Sequence, residues 1–431
     1  MTSIIQRHSA KPFIERKNMS GLVYLIMGSL LCLRGINDVF IYPAILLGGG
    51  VILFSNPKIG LPFLFFILPF GTIFKFNPGQ ISFFTVLFFL YIARQFLLKG
   101  IRLKVLIACT ILSIYLILCS GIVQSVTILT MIAGIIFVSY SISGENSFKE
   151  IILAYSTGLI LASMLGLLQD YFPIIKDFVT DVILRLGESE RINRFSGLQG
   201  NPNYFTIDII MALSGIGVLL FQEKHIWIYI ALFIILTVIG LLSLSKSFLV
   251  SWIALICFMI IFIINSRKRK VRRLIFILGG VIGCIYFMAS KQINEYVMRF
   301  MNSMGSISDL TTGRTDIWLN YISVIWGNIK ILFLGNGING ELVNGRGTHN
   351  TYIEVLYSLG IVGTIVLIAV LYICLQVNTK KKPAIQYMPL IILLIRFLAI
   401  GLLTYDNLWF YLVIAIVSIK TKTSDLKLKT E

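Results

Sequence analysis

Residues 313–321 read GRTDIWLNY, residues 334–340 read LGNGING and residues 346–363 read RGTHNTYIEVLYSLGIVG. These polar, charged and aromatic pieces lie between two long apolar runs, 274–288 and 353–375. His349 stands where the polar loop re-enters an apolar helix, whereas His8 lies in the N-terminal tail and His225 in a short loop. That junction reads as the edge of a reaction site, and most of the remaining chain reads as membrane anchor.

Only 13% of the 431 residues are charged, and the mean hydropathy is +0.90. A water-soluble domain carries about a quarter charged residues, so lipid must cover this chain. Apolar runs approaching the roughly 20 residues needed to cross a hydrocarbon core recur at 21–33, 39–54, 59–74, 81–98, 103–119, 122–140, 151–168, 204–221, 226–242, 248–264, 274–288, 353–375, 385–402 and 408–419. The expected fold is all-α: a polytopic integral membrane protein of about 12–14 transmembrane helices, with two long extracytoplasmic loops carrying interfacial helices. The chain divides into an N-terminal scaffold (1–168), a first outer loop (169–203), spans over 204–289, a second outer loop (290–352), and the last spans with a cytoplasmic tail (353–431).

The net charge of +18 raises nucleic acid as a partner, but its distribution argues for the membrane instead. With the N-terminus inside, 24 of the 37 basic residues fall on the inner side, RKRKVRR at 267–273 among them, and 12 fall outside. That is the positive-inside pattern, and it places both termini in the cytoplasm. The polar, basic N-terminus shows no cleavable leader. All six cysteines lie in or at the ends of apolar runs, which argues against disulfides and against a metal site. No cofactor or metal is expected.

In the first outer loop Phe172, Ile175, Val179, Val182 and Leu186 recur at helical spacing, predicting an amphipathic helix on the membrane surface. In the second, Ile317, Trp318, Tyr321, Ile322, Ile325 and Ile329 predict another. Gly335, Gly337, Gly340, Gly345 and Gly347 predict a pliable loop that orders around a ligand. Asp208 and Arg396 fall inside apolar runs, where charge faces a cavity or a partner; internal ion pairs involving these two and Glu354 are the expectation.

Four pieces together resemble the O-antigen ligase and O-antigen polymerase-like membrane proteins: RFSGLQGNPNYF from Arg194, SLSKS around Lys246, GRTDIW from Gly313, and LGNGING with GTHNTYIEVLYSLGIVG from Leu334. The position of Lys246 is commonly arginine in that family, and lysine lacks the bidentate fork. The resemblance implies a glycosyltransferase of the bacterial cytoplasmic membrane, with a glycan on undecaprenyl diphosphate as donor and the sugar hydroxyl of a lipid-linked unit as acceptor. A flippase and a chain-length regulator would be its partners. It implies that Arg194 and Arg314 grip the diphosphate and that His349 takes or orients the acceptor proton. Arg191, Asn201, Asn203, Lys246, Asn350 and Glu354 would line the substrate. Duller roles stand beside these: Arg194 and Arg314 as snorkelling anchors, and His349 with Asn350 as the cap of the helix opening at Thr351. Polymerisation and ligation to another acceptor share one chemistry, and a transporter or flippase is the alternative class.

Overall fold

The computed structural model describes residues 17–121, 124–143, 147–179, 182–186, 190–223, 226–266, 269–301, 311, 313–338, 340–375 and 382–421. Among these, eighteen α-helices and one short hairpin form. They are α1 (Lys17–Arg34), α2 (Ile41–Phe54), α3 (Pro57–Ile67), α4 (Phe83–Lys99), α5 (Leu103–Ser120), α6 (Ser125–Ser143), α7 (Phe148–Leu167), α8 (Pro173–Phe178), β1 (Val182–Leu186), β2 (Glu190–Arg194), α9 (Pro202–Gln222) and α10 (Ile226–Leu241). There follow α11 (Lys246–Asn265), α12 (Arg269–Met288), α13 (Ser290–Met301), α14 (Arg314–Gly327), α15 (Ile329–Leu334), α16 (Thr351–Leu375), α17 (Met388–Phe397) and α18 (Leu408–Lys420). Each of the fourteen apolar runs carries a helix, because in hydrocarbon the backbone must satisfy its own hydrogen bonds. Six helices (α5, α6, α7, α9, α11 and α16) are long and apolar enough to cross a membrane, and shorter apolar helices accompany them. The chain is an all-α polytopic membrane protein.

The core sits on α9, α7, α3 and α18. Nearly every side chain of α18 is buried, and α9 buries Phe205 through Leu219 without interruption. Gly158 of α7 lies against the Phe66 backbone, so α3 and α7 meet at backbone distance. Phe65, Phe84, Phe88 and Phe137 close around Phe410 with ring centroids 4.7–5.7 Å apart. By contrast α5 exposes a stripe of leucine and isoleucine, as a lipid-facing helix should.

Contacts sort the loops onto two ends of this bundle. At one end, the buried Arg34 pairs with Asp38, donates to the Lys75 carbonyl (3.1 Å) and stacks on Phe178 of α8. At the other, Lys149 pairs with Glu223 (2.8 Å) and Lys382 donates to the Thr421 carbonyl (3.0 Å). The first group belongs to the set that charge counting places outside and the second to the inside set.

Five expectations need correction. The amphipathic helix expected over 172–186 stops at Phe178, and Val182–Leu186 instead pairs antiparallel with Glu190–Arg194, in register Val182↔Arg194. Pro173 starts a helix well, but β-branched Val179, Thr180, Val182 and Ile183 favour an extended chain. The apolar run 353–375 is one helix only by hydrogen bonding, since Gly360 breaks it with φ +63°. The run 385–402 ends its helix at Phe397, after which residues 398–407 are non-helical. Finally, Gly335, Gly337 and Gly340 are sites of close approach rather than pliability. Gly335 abuts the Ser358 and Leu359 backbone, Gly337 abuts Cys119 and Ser120, and Gly340 abuts Asn336; only Gly345 and Gly347 stand in open space. The predicted face of α14 divides: Tyr321 and Ile325 pack on Tyr357 with Ile317 beside them, while Ile322 and Ile329 are exposed.

Candidate active site

The segment preceding α9 sets the first part of the site. Gly197 (φ +57°) and Gly200 (φ +66°) turn the chain, and Gly197 has the Phe205 ring where a side chain would go. Asn201 then caps α9, its Oδ1 accepting from the Asn203 amide at 2.9 Å, with Pro202 in the first turn. Arg194, half-buried at the end of β2, donates Nε–H to the Ser243 carbonyl at 3.0 Å. That bond places it over the α10–α11 turn, SLSKS. The turn is strained, with Leu244 at φ +50°, a conformation that a non-glycine residue adopts at a cost. Ser245 precedes α11 without capping it, because its hydroxyl bonds Asn203 Oδ1 (2.9 Å) and the Ser247 hydroxyl (3.0 Å). Lys246 is therefore a half-buried cation on an uncapped helix N-terminus, and both features attract an anion.

Arg396 joins this cluster from α17. Its side chain is 0% exposed; Nη1 donates to Ser247 Oγ at 2.8 Å, and Nη2 to the Asn203 carbonyl (2.9 Å) and Thr206 Oγ1 (3.1 Å). Its Nε is buried with no hydrogen-bond partner. Among the described residues no carboxylate bonds it, so the expected pairing with Asp208 does not occur. Asp208 is instead held by neutral donors: Tyr155 Oη and Tyr411 Oη at 2.6 Å each, Gln199 Nε2 at 2.9 Å and Asn407 Nδ2 at 3.4 Å. Four such bonds satisfy a buried carboxylate without a cation, and that leaves Arg396 for another anion. Asp208→Ala would leave the buried Tyr155 and Tyr411 hydroxyls without this acceptor, so it is expected to cost about 1–3 kcal/mol for each, read as loss of folded protein in detergent. Wild-type yield and melting behaviour from that variant would show the network to be dispensable.

The second outer loop supplies the other wall. Gly313 (φ +75°) turns the chain into α14, whose first residue, Arg314, donates Nη1–H to the Ala399 carbonyl at 2.8 Å. Trp318 Nε1 donates to the Thr348 carbonyl (3.0 Å) and Tyr321 Oη to the Arg346 carbonyl (2.7 Å), fixing the strand of loop that carries His349. Asn350 caps α16, accepting from the amides of Tyr352 (3.0 Å) and Ile353 (3.2 Å). Thr351 Oγ1 donates to the Ile400 carbonyl (2.7 Å), and Glu354 Oε2 accepts from the Leu403 amide (3.1 Å); the expected Glu354 ion pair is replaced by a backbone donor. His349 itself is an exposed residue at φ +48°. Partial desolvation, with the positive charge of Arg314 added, lowers its pKa below the usual 6.5. Arg314 also lies within Coulombic range of Arg396.

Arg194, Asn203 and Lys246 thus form one group, and Arg314, His349, Asn350 and Glu354 another. The non-helical segment 398–407, with Arg396 at its entrance, ties them together and also receives Tyr204 Oη on the Gly401 carbonyl (3.2 Å). Asn201 and Asn350 act as caps. Arg191 lies in β2, and its side chain is outside the described part of the structure. Sequence reasoning missed the 398–407 segment as a hub and set Arg396 aside as structural. The signals were Gly401 within an apolar run and the polar TYDN at 404–407. The segment is also deep. The helical residues 384–397 span about 21 Å and α18 about 20 Å at 1.5 Å per residue, against roughly 30 Å of hydrocarbon. Irregular backbone at such depth persists only inside protein or along a cavity, and Ile400, Leu402, Leu403 and Asn407 of the segment are buried.

Residues 230–368 match the family model described as O-antigen ligase. The match takes in Lys246, Arg314, His349, Asn350 and Glu354, and leaves Arg194, Asn203 and Arg396 outside it. No curated protein and no solved structure matches the chain. Over those residues the chain is similar to O-antigen ligases.

Proposed function

We propose that this chain is a metal-independent membrane glycosyltransferase that polymerises lipid-linked glycan repeat units. Its donor is a glycan on undecaprenyl diphosphate and its acceptor a sugar hydroxyl on a second lipid-linked unit. The observation that carries this reading is Arg396, buried, bonded by no carboxylate among the described residues and with Nε unbonded, within Coulombic range of Arg314. A buried cation of that kind is costly, and a diphosphate bound beside it would offset that cost. Lys246 adjoins Ser247, which bonds Arg396, and Arg194 bonds the same α10–α11 turn, so both extend the positive field.

In the transfer, the acceptor oxygen bonds to the anomeric carbon as the bond from that carbon to the phosphate oxygen breaks. The leaving diphosphate takes the electron pair, and the guanidinium groups stabilise its charge as it develops. The acceptor proton passes to His349, which its lowered pKa keeps neutral near pH 7. Ligation to a different lipid or wall acceptor would use the same steps.

The test is chain extension by purified protein given lipid-linked repeat units in excess chelator. Extension is expected; a strict need for magnesium or manganese would contradict the assignment of the diphosphate to side-chain cations. Translocation of units across a vesicle without new glycosidic bonds would favour a carrier. The orientation has its own test: a cysteine at Asn344, which is exposed, should react with an impermeant reagent in intact cells, and labelling only after permeabilisation would reverse the topology.

A further inference from the structure

Beyond the residues given roles in transfer, α14 and the turn at 343–345 enclose a cleft of about 280 Å³. It is lined by Asp316, Ile317 and Asn320 from α14 and by Val343, Asn344 and Arg346 from the turn and its exit. Asp316 and Ile317 stand one turn of helix before Asn320, so the three share a face. The half-buried Ile317 and Val343 pack on the cluster of Tyr321, Ile325 and Tyr357 and give the cleft an apolar floor. Tyr321 Oη accepts from the Val343 amide (3.3 Å) and donates to the Arg346 carbonyl (2.7 Å). One hydroxyl thereby fixes both ends of the turn against α14. Around the floor Asp316, Asn320, Asn344 and Arg346 are exposed.

The lining disfavours two classes of ligand and suits a third. A phosphate would meet the Asp316 carboxylate, and a metal ion would find a single carboxylate opposed by a guanidinium. A polyol fits the whole set. Carboxylate and amide oxygens accept from its hydroxyls, amide and guanidinium N–H groups donate to them, and the apolar floor takes the C–H face of a ring. Against about 30 Å³ for a water molecule in the liquid, the cleft has room for a sugar ring.

We propose that this cleft seats one neutral sugar ring of the repeat unit and so selects which glycan is joined, an inference that rests on the glycosyltransferase reading above. Neither Arg314 nor His349 lines it, so the ring it holds is a neighbour of the reacting one. The spacing agrees: Asp316 and Asn320 lie about 3 and 9 Å along α14 from Arg314 at 1.5 Å per residue, and Arg346 stands three residues before His349. The four polar residues determine specificity and take no part in bond formation.

The experiment uses the full chain in neutral detergent and the oligosaccharide freed by mild acid from the lipid-linked units of the producing cells. Saturation-transfer NMR measures its binding to wild type, to Asn320→Ala/Asn344→Gly and to Asp316→Asn. Steady-state assays with the lipid-linked unit give KM and kcat. Both asparagines are exposed, and glycine relieves the positive φ of Asn344 (+53°), so the double variant should fold, which its unfolding temperature checks. The oligosaccharide is expected to bind the wild type. In the double variant Kd and KM should rise about tenfold, the worth of one or two net hydrogen bonds, with kcat unchanged, and Asp316→Asn should weaken binding in the same direction. Wild-type Kd and KM in the folded double variant would overturn the cleft as a sugar site and leave the transferase reading standing, as would a wild type that polymerises but does not bind the oligosaccharide. A fall in kcat without a rise in KM would overturn the specificity role. Oligosaccharide binding that the variants weaken, with no new glycosidic bond from the wild type, would overturn the transferase reading and keep the cleft as a sugar site.

Discussion

Arg314→Lys is expected to stop polymer formation nearly as completely as Arg314→Ala, lowering turnover by about 10²–10³-fold. Arg314 donates Nη1–H to the Ala399 carbonyl, and a planar guanidinium can present paired N–H groups to two phosphate oxygens. An ammonium in its place would satisfy the carbonyl or the phosphate, not both in one geometry. If Arg314 were only a snorkelling anchor, lysine would serve equally well. The measurement is the chain-length distribution of the product beside the yield of folded protein. Near-wild-type polymer from Arg314→Lys would remove the diphosphate from that residue.

His349→Ala should leave donor binding intact and lower turnover by about 10²–10⁴-fold, the usual worth of a positioned general base. The helix cap belongs to Asn350, whose Oδ1 takes the two first-turn amides, so removing the imidazole should not unfold α16. Because His349 holds φ +48°, alanine there carries backbone strain that glycine does not. His349→Gly therefore separates the two effects: folded protein without turnover is the expected result. Loss of folded protein in both variants would return His349 to a structural role. The lowered pKa adds a pH signature. Activity should stay level as pH falls from neutrality past the ordinary histidine value of about 6.5, then fail as the ring protonates at lower pH and can no longer accept the proton. An acid limb centred above 6.5 would contradict the geometry.

The membrane architecture was legible because lipid imposes composition: fourteen apolar runs could not be covered by water, and each carries a helix. Contacts group the loops at two ends, since Arg34 meets Lys75 and Phe178 while Lys149 meets Glu223. What hid was every place where an apolar run is not one helix. Apart from Gly401, nothing in LAIGLL at 398–403 distinguishes a helix from irregular backbone buried in protein, because both need apolar side chains. Gly360 hid likewise, since membrane helices tolerate glycine. The hairpin was missed because Val182 to Leu186 satisfies a helical and an extended pattern in the same five residues. The pairing of Asp208 with tyrosines instead of Arg396 depends on how α7, α9, α17 and α18 pack, which spacing along the chain does not encode.

Under the proposed function, the burial of Arg396 bears on the end of the catalytic cycle as much as on its chemical step. The proposed donor carries its diphosphate as a diester, whereas the spent carrier would have a free terminal phosphate with additional negative charge. Fixed, dehydrated cations hold the more highly charged species more tightly. Release of the spent lipid is then the expected slow event, and added undecaprenyl diphosphate should act as a competitive product inhibitor. Pace would be set by the enzymes that hydrolyse and recycle that lipid, and polysaccharide output would track their abundance more closely than the abundance of this chain.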